Sequence, residues 1–180
     1  MIAEAACQEF SLRKVLFIPS GDTPNKDMHH IDKNIRYAMV EKAIEGNGHF
    51  MISPIERDRQ GPSYTVDTIR ILQREFGDDY EFYFICGTDA VADLPTWKYN
   101  RELLSACHFI CASRPGNEIE IQKSIDYFGE LGRKKIHFLK TPELAISSTI
   151  LRDWIAEKRS VRYLIPDAVI DMIRSNKLYE

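Results

Sequence analysis

The stretch Phe82-Tyr83-Phe84-Ile85-Cys86 is an almost uninterrupted apolar run. A strand without polar alternation is typical of a parallel sheet that is covered on both faces. Comparable short apolar runs lie at residues 15–18, 50–52, 109–112 and 136–139. Apolar residues recur at helical spacing over residues 32–45, 64–76, 117–129, 148–157 and 166–175. This alternation predicts an α/β protein with an open, mostly parallel sheet and helices on both faces.

The composition is that of an ordinary soluble globular protein. The 180 residues are 44% hydrophobic and 28% charged, and we expect one domain over residues 1–180. The net charge of −3 argues against a general nucleic-acid-binding protein. No apolar run approaches the roughly 20 residues of a membrane span, and Glu4, Gln8 and Glu9 interrupt any segment resembling a signal peptide. We therefore expect a cytoplasmic protein without nucleic-acid or membrane partners, and the sequence leaves its oligomeric state open.

Four cysteines occur without Cys-x-x-Cys spacing: Cys7, Cys86, Cys107 and Cys111. Cys107, Phe109 and Cys111 alternate on one face of a predicted strand, which favours reduced thiols in the core. The alternative is a metal site formed by Cys107, His108 and Cys111, but His108 would point to the other face of that strand. We expect the thiols to be structural.

Three polar turns follow predicted strands: Pro19-Ser20-Gly21, Gly87-Thr88-Asp89 and Ser113-Arg114-Pro115-Gly116. Ligands of open α/β sheets bind at the carboxyl ends of the strands, so these turns form the expected ligand edge. Gly87 would let a ligand approach the backbone, and Asp89 could accept hydrogen bonds from a ribose or simply cap a helix. Arg114 could line a nucleotide pocket or belong to an ordinary turn.

Residues 146–152 carry three hydroxyl side chains where a helix should begin: Ser147, Ser148 and Thr149. Ser and Thr oxygens cap the first free N–H groups of a helix, and the remaining N–H groups and the helix dipole attract anions. Because residues three apart share a helix face, Arg152 should point toward the same place as Thr149. The segment predicts a phosphate cradle, and a capped surface helix with a solvated arginine is the alternative.

Two further segments suit an aromatic anion. Pro62-Ser63-Tyr64-Thr65 opens a predicted helix, and its hydroxyl groups could bind a carboxylate or only cap that helix. Trp97 lies on a short loop after Leu94-Pro95-Thr96. Its ring could stack on a flat ligand or be partly buried in the core.

Taken in order, these segments resemble one family over essentially every residue of the chain. The motifs are Phe17-Ile18-Pro19-Ser20-Gly21, Pro24-Asn25-Lys26, Arg36 with Met39, Gly61 to Thr68, Gly87-Thr88-Asp89, Leu94 to Trp97, Arg114-Pro115-Gly116, Ile146 to Arg152, Tyr163-Leu164-Ile165-Pro166 and Asn176-Lys177-Leu178-Tyr179. They resemble the bacterial nicotinate-nucleotide adenylyltransferases, nucleotidyltransferases with a His-x-Gly-His motif. The resemblance implies a Rossmann-like fold and transfer of the adenylyl group of ATP to nicotinic acid mononucleotide, with Mg²⁺ bound to the ATP. Deamido-NAD and pyrophosphate would be the products, in NAD biosynthesis.

The resemblance also implies ATP-binding roles for matching residues: Gly87, Asp89, Arg114, Ser147, Thr149 and Arg152. Asp89 would bind the adenosine ribose, and Gly87 and Arg114 would line the adenine pocket. The hydroxyl groups and guanidinium of the 147–152 segment would grip the triphosphate. Arg152, together with Lys26, would stabilise the reacting phosphates.

On the acceptor side, the resemblance implies four substrate-binding residues: Ser20, Thr65, Trp97 and Lys98. Trp97 would stack on the pyridine ring of the mononucleotide. Thr65 and the backbone N–H of Lys98 would hold the carboxylate of that ring. Ser20 lies in the turn after the first predicted strand, at the expected ligand edge.

The chain departs from the family pattern near its start. Thr23-Pro24-Asn25-Lys26 stands where the family has Pro-Pro-His-Lys, so Asn25 replaces a histidine. The family opens with a central strand, a Gly-Gly-Thr-Phe-Asp-Pro turn and the His-x-Gly-His segment, whereas residues 1–6 resemble the helix that follows the second histidine. We therefore expect an N-terminally short chain that lacks the first central strand and both catalytic histidines. Such a chain should have little turnover.

Two alternatives follow from these departures. The first is a nucleotide-binding fragment without catalysis, which would retain parts of both nucleotide pockets. The second is a related adenylyltransferase for another phosphorylated substrate. The segment Ser63-Tyr64-Thr65 and Trp97 disfavour the second alternative, because both suit an aromatic carboxylate.

Overall fold

The computed structural model describes residues 1–21, 31–113, 118–141 and 146–180. Within these residues the strands are β1 (Val15–Phe17), β2 (Phe50–Ile52), β3 (Tyr83–Gly87), β4 (His108–Ser113) and β5 (Ile136–Lys140). The strands pair in parallel, as a β1-β2 pair and as a three-stranded sheet of order β3-β4-β5. Each apolar run of the sequence is thus a strand, and the α/β class with parallel pairing is confirmed.

The helices of the described residues are α1 (Ile2–Glu9), α2 (Lys33–Ile44), α3 (Ile55–Asp58), α4 (Thr65–Phe76), α5 (Thr88–Asp93), α6 (Asn100–Ala106), α7 (Glu118–Phe128), α8 (Glu130–Lys135), α9 (Ser148–Ala156) and α10 (Asp167–Ser175). A short 3-10 helix, Leu94–Thr96, lies between α5 and α6. The five helices predicted from periodicity correspond to α2, α4, α7, α9 and α10, and each observed end lies within one residue of the predicted end. In the described part of the chain, no helix combines the length and apolarity needed to span a membrane.

The chain forms two compact units that are interleaved in sequence. The first unit comprises Met1–Arg13 and Tyr64–Glu143, and the second comprises Lys14–Ser63 and Leu144–Glu180. The first therefore contains the β3-β4-β5 sheet with α1 and α4 to α8, and the second contains the β1-β2 pair with α2, α3, α9 and α10.

Strand β4 lies at the centre of the first unit. Successive residues of a strand point to opposite faces, and both Phe109 and Ile110 are fully buried. Ile110 packs with Ala6 of α1. Phe109 lies against Phe84 and Trp97, with ring centroids 5.2 and 6.4 Å away. Both faces of β4 are covered, which is why its sequence is apolar on both faces.

In the second unit, the carboxyl ends of β1 and β2 are held to α2 and α3. The backbone N–H of Ser53 donates to the carbonyl oxygen of Phe17 at 2.9 Å, just past the paired strands. Arg36 of α2 donates from Nη2 to the carbonyl oxygen of Gly21 at 2.8 Å. A Cβ atom at Gly21 would collide with the carbonyl oxygen of Glu56 in α3. The turn after β1 therefore needs glycine, because the backbone of α3 approaches it closely.

Candidate functional site

The predicted phosphate cradle lies at the start of α9. Ser147 is the N-cap, and its hydroxyl oxygen accepts a hydrogen bond from the backbone N–H of Ile150 at 3.1 Å. Arg152 donates from Nη2 to the hydroxyl oxygen of Thr149 at 3.2 Å. Ser147, Thr149 and Arg152 are all exposed. The predicted cap and the shared face of Thr149 and Arg152 are therefore confirmed, and the positive charge is presented at the dipole end that attracts anions.

A second arginine lies within electrostatic reach of the same region of the second unit. Burial raises the pKa of the Tyr179 phenol, whereas the positive charges of Arg152 and Arg36 act to lower it. Both guanidinium groups are thus close enough to influence one side chain. Arg36 makes no ion pair with any residue that the structure describes, and its hydrogen-bond partners are neutral oxygens. Arg36 belongs to the motif series of the sequence, but its role is not evident from the sequence alone.

The turn after β1 is organised by Arg36. The Nη1 atom of Arg36 lies 3.4 Å from the hydroxyl oxygen of Ser20 and donates to it. The same guanidinium binds the carbonyl oxygen of Gly21. Ser20, one of the predicted substrate-binding residues, is therefore linked to a cation at the carboxyl edge of β1, where ligands of α/β sheets bind.

Gly87 and Asp89 lie at the carboxyl end of β3. Gly87 is the last residue of β3 and the N-cap of α5, and a Cβ atom there would meet nothing within 4 Å. The backbone of Gly87 therefore faces open space, as close approach by a ligand requires. Asp89 is exposed and lies in the first turn of α5, two residues beyond the cap. It does not cap the helix, so that alternative is not observed.

The predicted acceptor residues of the first unit lie around the start of α4. Thr65 is the first residue of α4, and its N-cap, Tyr64, makes no side-chain capping bond. The Lys98 ammonium lies 4.8 Å from the centroid of the Tyr64 ring. This contact brings the loop that carries Trp97 and Lys98 against the residue before Thr65. The structure therefore places Thr65 and Trp97 in the same part of the first unit, although the sequence separates them by a whole helix.

The indole ring of Trp97 is partly buried and is fixed by two phenylalanines. Its ring meets Phe84 edge-on, with centroids 6.1 Å apart at 80°, and lies 6.4 Å from Phe109 at 64°. The core-packing alternative is thus correct for part of the ring. Stacking of Trp97 on a ligand remains a prediction. The edge-on packing favours such stacking because it fixes the plane of the indole.

Two predicted site residues, Lys26 and Arg114, lie outside the residues that the structure describes. The segment Thr23 to Lys26, which departs from the family pattern, lies there as well. Their roles therefore rest on the sequence alone.

The cysteines form no disulfide, and most of them lie in the core. All four are free, and Cys7, Cys107 and Cys111 are buried. Burial raises the pKa of Cys86 and Cys107 to about 12, so both are neutral thiols near pH 7 and poor nucleophiles. The ring of His108, which the alternative metal site required, is hydrogen-bonded to His137. The prediction of reduced core thiols is confirmed.

Comparison with known proteins relates this arrangement to nucleotide-transferring enzymes. A model of the cytidylyltransferase-like family matches residues 1–153. The chain is similar to a probable nicotinate-nucleotide adenylyltransferase from Moorella thermoacetica, with 44% identity over 98% of this chain and 82% of the relative. A probable nicotinate-nucleotide adenylyltransferase from Thermoanaerobacter sp. is 41% identical over 99% of this chain and 85% of the relative.

Solved structures share the fold. The structure of Plasmodium falciparum nicotinic acid mononucleotide adenylyltransferase complexed with NaAD has a TM-score of 0.75 and 18% identity, and the match covers 99% of this chain and 87% of that chain. The same Plasmodium enzyme complexed with APC gives a TM-score of 0.71 at 17% identity, with the same coverage. The α/β fold of the described residues is thus Rossmann-like, as the family resemblance implied.

Proposed function

The chain belongs to the cytidylyltransferase-like family and, within it, to the nicotinate-nucleotide adenylyltransferases, and we propose that it joins ATP to nicotinic acid mononucleotide. Deamido-NAD and pyrophosphate would be the products, in NAD biosynthesis. The observation that carries the proposal is the 44% identity to a probable enzyme of this activity over 98% of the chain. The match extends over nearly the whole chain rather than over one motif.

In the proposed reaction, a phosphate oxygen of the mononucleotide attacks the α-phosphorus of ATP and the bond to pyrophosphate breaks. Negative charge collects on the leaving pyrophosphate, where fixed cations and hydrogen-bond donors stabilise it. Arg152 and Thr149 would hold the triphosphate, with Ser147 at the start of the helix. The 3.2 Å contact between the Arg152 guanidinium and the Thr149 hydroxyl supports this role, because it presents both groups on one face of α9. Lys26 would add a cation.

Mg²⁺ would enter with ATP. Within the described residues, no group of three or more His, Cys, Asp or Glu side chains lies together as a metal site. Mg²⁺ is commonly held by one or two carboxylates and by substrate phosphates. An ion held mainly by the phosphates of ATP fits that donor set, and it would neutralise part of their charge. The protein's own contribution would be the cations and hydroxyl groups of the cradle.

The adenosine moiety would lie at the carboxyl end of β3. Gly87 faces open space, and the exposed carboxylate of Asp89 can accept hydrogen bonds from the two hydroxyl groups of a ribose. Arg114 would line the adenine pocket. An exposed carboxylate that makes no capping hydrogen bond at the start of α5 supports the ribose assignment, because its oxygens face solvent.

The nicotinate ring would stack on Trp97. Thr65, at the start of α4, and the backbone N–H of Lys98 would hold the ring carboxylate, since hydroxyl and N–H groups at a helix start favour anions. Ser20 would contact the acceptor from the turn after β1. The contact between Lys98 and Tyr64 supports the pairing of these two segments into one acceptor pocket.

The test is an acceptor and donor panel. The chain is incubated with Mg²⁺, ATP and nicotinic acid mononucleotide, and deamido-NAD and pyrophosphate are quantified by chromatography. We expect the two products in equal amounts. Nicotinamide mononucleotide and pantetheine phosphate replace the acceptor in parallel arms, and CTP replaces ATP. Faster transfer to another acceptor, or from CTP, would contradict the proposal.

Calorimetric binding of ATP and of nicotinic acid mononucleotide is measured on the same preparation, because binding does not depend on turnover. Binding of both nucleotides without product would favour a nucleotide-binding protein without catalysis. Binding of neither nucleotide would contradict both the enzyme and the nucleotide-binding alternative.

We also propose that residues 1–180 act as a single nucleotidyltransferase domain in the cytoplasm, without nucleic-acid partners. The four free cysteines support a reducing compartment, and the net charge of −3 disfavours general nucleic-acid binding. Size-exclusion chromatography with light scattering would determine the oligomeric state.

A further inference from the structure

Arg59 lies directly after α3, at the carboxyl edge of the β1-β2 pair. Strand β2 leads into α3 through Ser53 and Pro54, and the carbonyl oxygen of Glu56 in α3 contacts Gly21 in the turn after β1. The helix ends at Asp58, and Arg59 continues in extended conformation, with φ −77° and ψ 136°. Arg59 therefore follows the helix that is packed on the turn where ligands of a parallel sheet bind.

The guanidinium group of Arg59 is buried without a partner. Its Nε, Nη1 and Nη2 atoms are all inaccessible to solvent, and none has a hydrogen-bond partner among the residues that the structure describes. An arginine carries five N–H donors and keeps its charge at any physiological pH. A buried charge that lacks both a counter-ion and hydrogen bonds is strongly unfavourable. Such a group points to an anion that is bound during function.

Arg57, two residues earlier in the chain, has the hydrogen-bond and aromatic partners that Arg59 lacks. Its Nε lies 2.7 Å from Asp58 Oδ1 and its Nη2 lies 3.2 Å from Asp58 Oδ2, and its guanidinium lies 4.3 Å from the centroid of the Tyr37 ring. The same segment therefore gives one arginine a bidentate partner and an aromatic face, and leaves the other arginine with neither. The difference is specific to Arg59 rather than general to the loop.

A second donor of the same loop is also unsatisfied. The hydroxyl oxygen of Ser63 is buried and has no hydrogen-bond partner within the described residues. A guanidinium and a hydroxyl group can both donate to an anionic oxygen. The loop that precedes α4 thus holds two buried donor groups, one of them charged, for which the described chain supplies no acceptor.

We infer that Arg59 is a further substrate-binding residue, whose guanidinium holds an anionic oxygen pair of one of the two nucleotides, with Ser63 as a second donor. The inference rests on the proposed function, which supplies the anions. A planar guanidinium binds a carboxylate or a phosphate through two parallel hydrogen bonds. The oxygen pair belongs to the ring carboxylate of the acceptor, to its phosphate, or to the phosphates of ATP, and the experiment separates these sources.

The test compares the wild-type chain with Arg59→Met and Arg59→Lys, and uses Arg57→Met as the matched control. Calorimetry measures the dissociation constants of ATP, nicotinic acid mononucleotide, nicotinamide mononucleotide and nicotinic acid riboside. Arg59→Met should weaken binding of one nucleotide by about 10- to 100-fold, the usual effect of losing hydrogen bonds between charged groups. Arg59→Lys should restore part of the affinity because it keeps the charge without the planar fork. Arg57→Met should leave all four constants unchanged.

The pattern of loss identifies the anion. A loss for nicotinic acid mononucleotide and the riboside, but not for nicotinamide mononucleotide, assigns Arg59 to the ring carboxylate. A loss for both mononucleotides, but not for the riboside, assigns it to the acceptor phosphate. A loss for ATP alone assigns it to the triphosphate.

A stability measurement separates binding from a structural role. Removal of an uncompensated buried charge should leave the melting temperature of the nucleotide-free Arg59→Met protein equal to or above that of the wild type. A fall larger than that of Arg57→Met would overturn the inference, because it would reveal a structural partner. Unchanged dissociation constants in Arg59→Met would overturn it while leaving the proposed function intact. A wild-type chain that binds neither nucleotide would overturn both.

Discussion

The Nδ1 atom of His108 lies 2.7 Å from the Nε2 atom of His137, so the two rings share a hydrogen bond between neighbouring strands. The other ring nitrogen of His108, Nε2, lies 2.9 Å from Lys135 Nζ and 2.8 Å from Glu81 Oε1. Tyr83 stacks on the His108 ring, with centroids 4.8 Å apart, and donates from its hydroxyl to Glu81. The first unit therefore encloses a titratable imidazole pair among charged groups.

We expect the fold to lose stability as the pH falls below 6.5. Burial lowers the pKa of both His108 and His137 from 6.5, Lys135 lowers them further, and Glu81 opposes this. Below pH 6.5 the unfolded chain then binds more protons than the folded chain. The free energy of unfolding is therefore highest above pH 6.5 and falls as the pH drops toward the lower folded-state pKa values. Thermal unfolding from about pH 8 to about pH 5 measures the effect.

The variant His137→Phe isolates the contribution of the pair. Phenylalanine keeps an aromatic ring against Phe10, whose centroid lies 5.7 Å from that of His137, and removes one titrating group. Its melting temperature should fall less with acidification than that of the wild type. His49 is exposed, and His49→Gln should follow the wild-type profile. Identical profiles for wild type and His137→Phe would contradict the assignment.

Replacing the buried Gly132 of α8 by alanine should destabilise the protein. A Cβ atom there would lie 2.6 Å from the carbonyl oxygen of Ile125 and 3.1 Å from the Cβ of Phe128. Because the nearest atom is backbone of α7, the helices must separate, at a cost of about 1–3 kcal/mol. Denaturant unfolding would measure the loss. Gly48→Ala is the control, since a Cβ atom at Gly48 meets nothing within 4 Å; equal stabilities of the two variants would argue against tight packing of α7 on α8.

An aromatic replacement of Trp97 should weaken binding of the acceptor nucleotide more than it destabilises the fold. Trp97→Phe can keep the edge-on contacts to Phe84 and Phe109, but it offers less area for stacking on a pyridine ring. The KM for nicotinic acid mononucleotide should rise about 2- to 10-fold, the range of an aromatic pair, with the KM for ATP unchanged. Trp154→Phe is the control, because that indole is covered by the Arg159 guanidinium at 4.0 Å. A Trp97→Phe enzyme with wild-type kinetics would remove Trp97 from the acceptor pocket.

Loss of the Arg152 guanidinium should weaken ATP binding without unfolding α9. The Ser147 cap to the Ile150 N–H is independent of Arg152, so circular dichroism and the melting temperature should not change. Arg152→Ala should weaken ATP binding, measured by calorimetry, by about 10- to 100-fold, the usual effect of losing hydrogen bonds between charged groups, and Arg152→Lys by less. Lys158→Gln, an exposed cation beyond the end of the same helix, controls for net charge. A similar loss in Lys158→Gln would indicate general electrostatics rather than a specific contact.

The strands and long helices could be predicted because their signal is local. Strand β2 and helix α4 each carry an apolar pattern within their own few residues. The helices α3, α6 and α8 were not predicted, because four to seven residues are too few to show a helical period. The arrangement of Thr149 and Arg152 was predicted for the same reason as α4, since residues three apart on a helix share a face whatever surrounds them.

The His108–His137 contact could not be predicted, because it depends on strand register. The parallel pairing places His137 opposite Ile110, two residues along β4 from His108. Residues two apart on a strand share a face, so this register brings the imidazoles together. Arg36 and Arg59 were missed for a related reason. Their importance lies in the absence of ion-pair partners among the described residues, and a sequence does not show which charges are paired.

The interleaving of the two units affects the order in which they can fold during synthesis on the ribosome. The second unit starts at Lys14, but its α9 and α10 belong to the segment that begins at Leu144. During synthesis, β1 and β2 would therefore leave the ribosome long before the helices that complete their unit, whereas the first unit can close around β3, β4 and β5 earlier. Contacts between such distant segments form slowly. The nascent chain should consequently be most exposed to aggregation and to chaperones while residues 14–63 await the C-terminal segment.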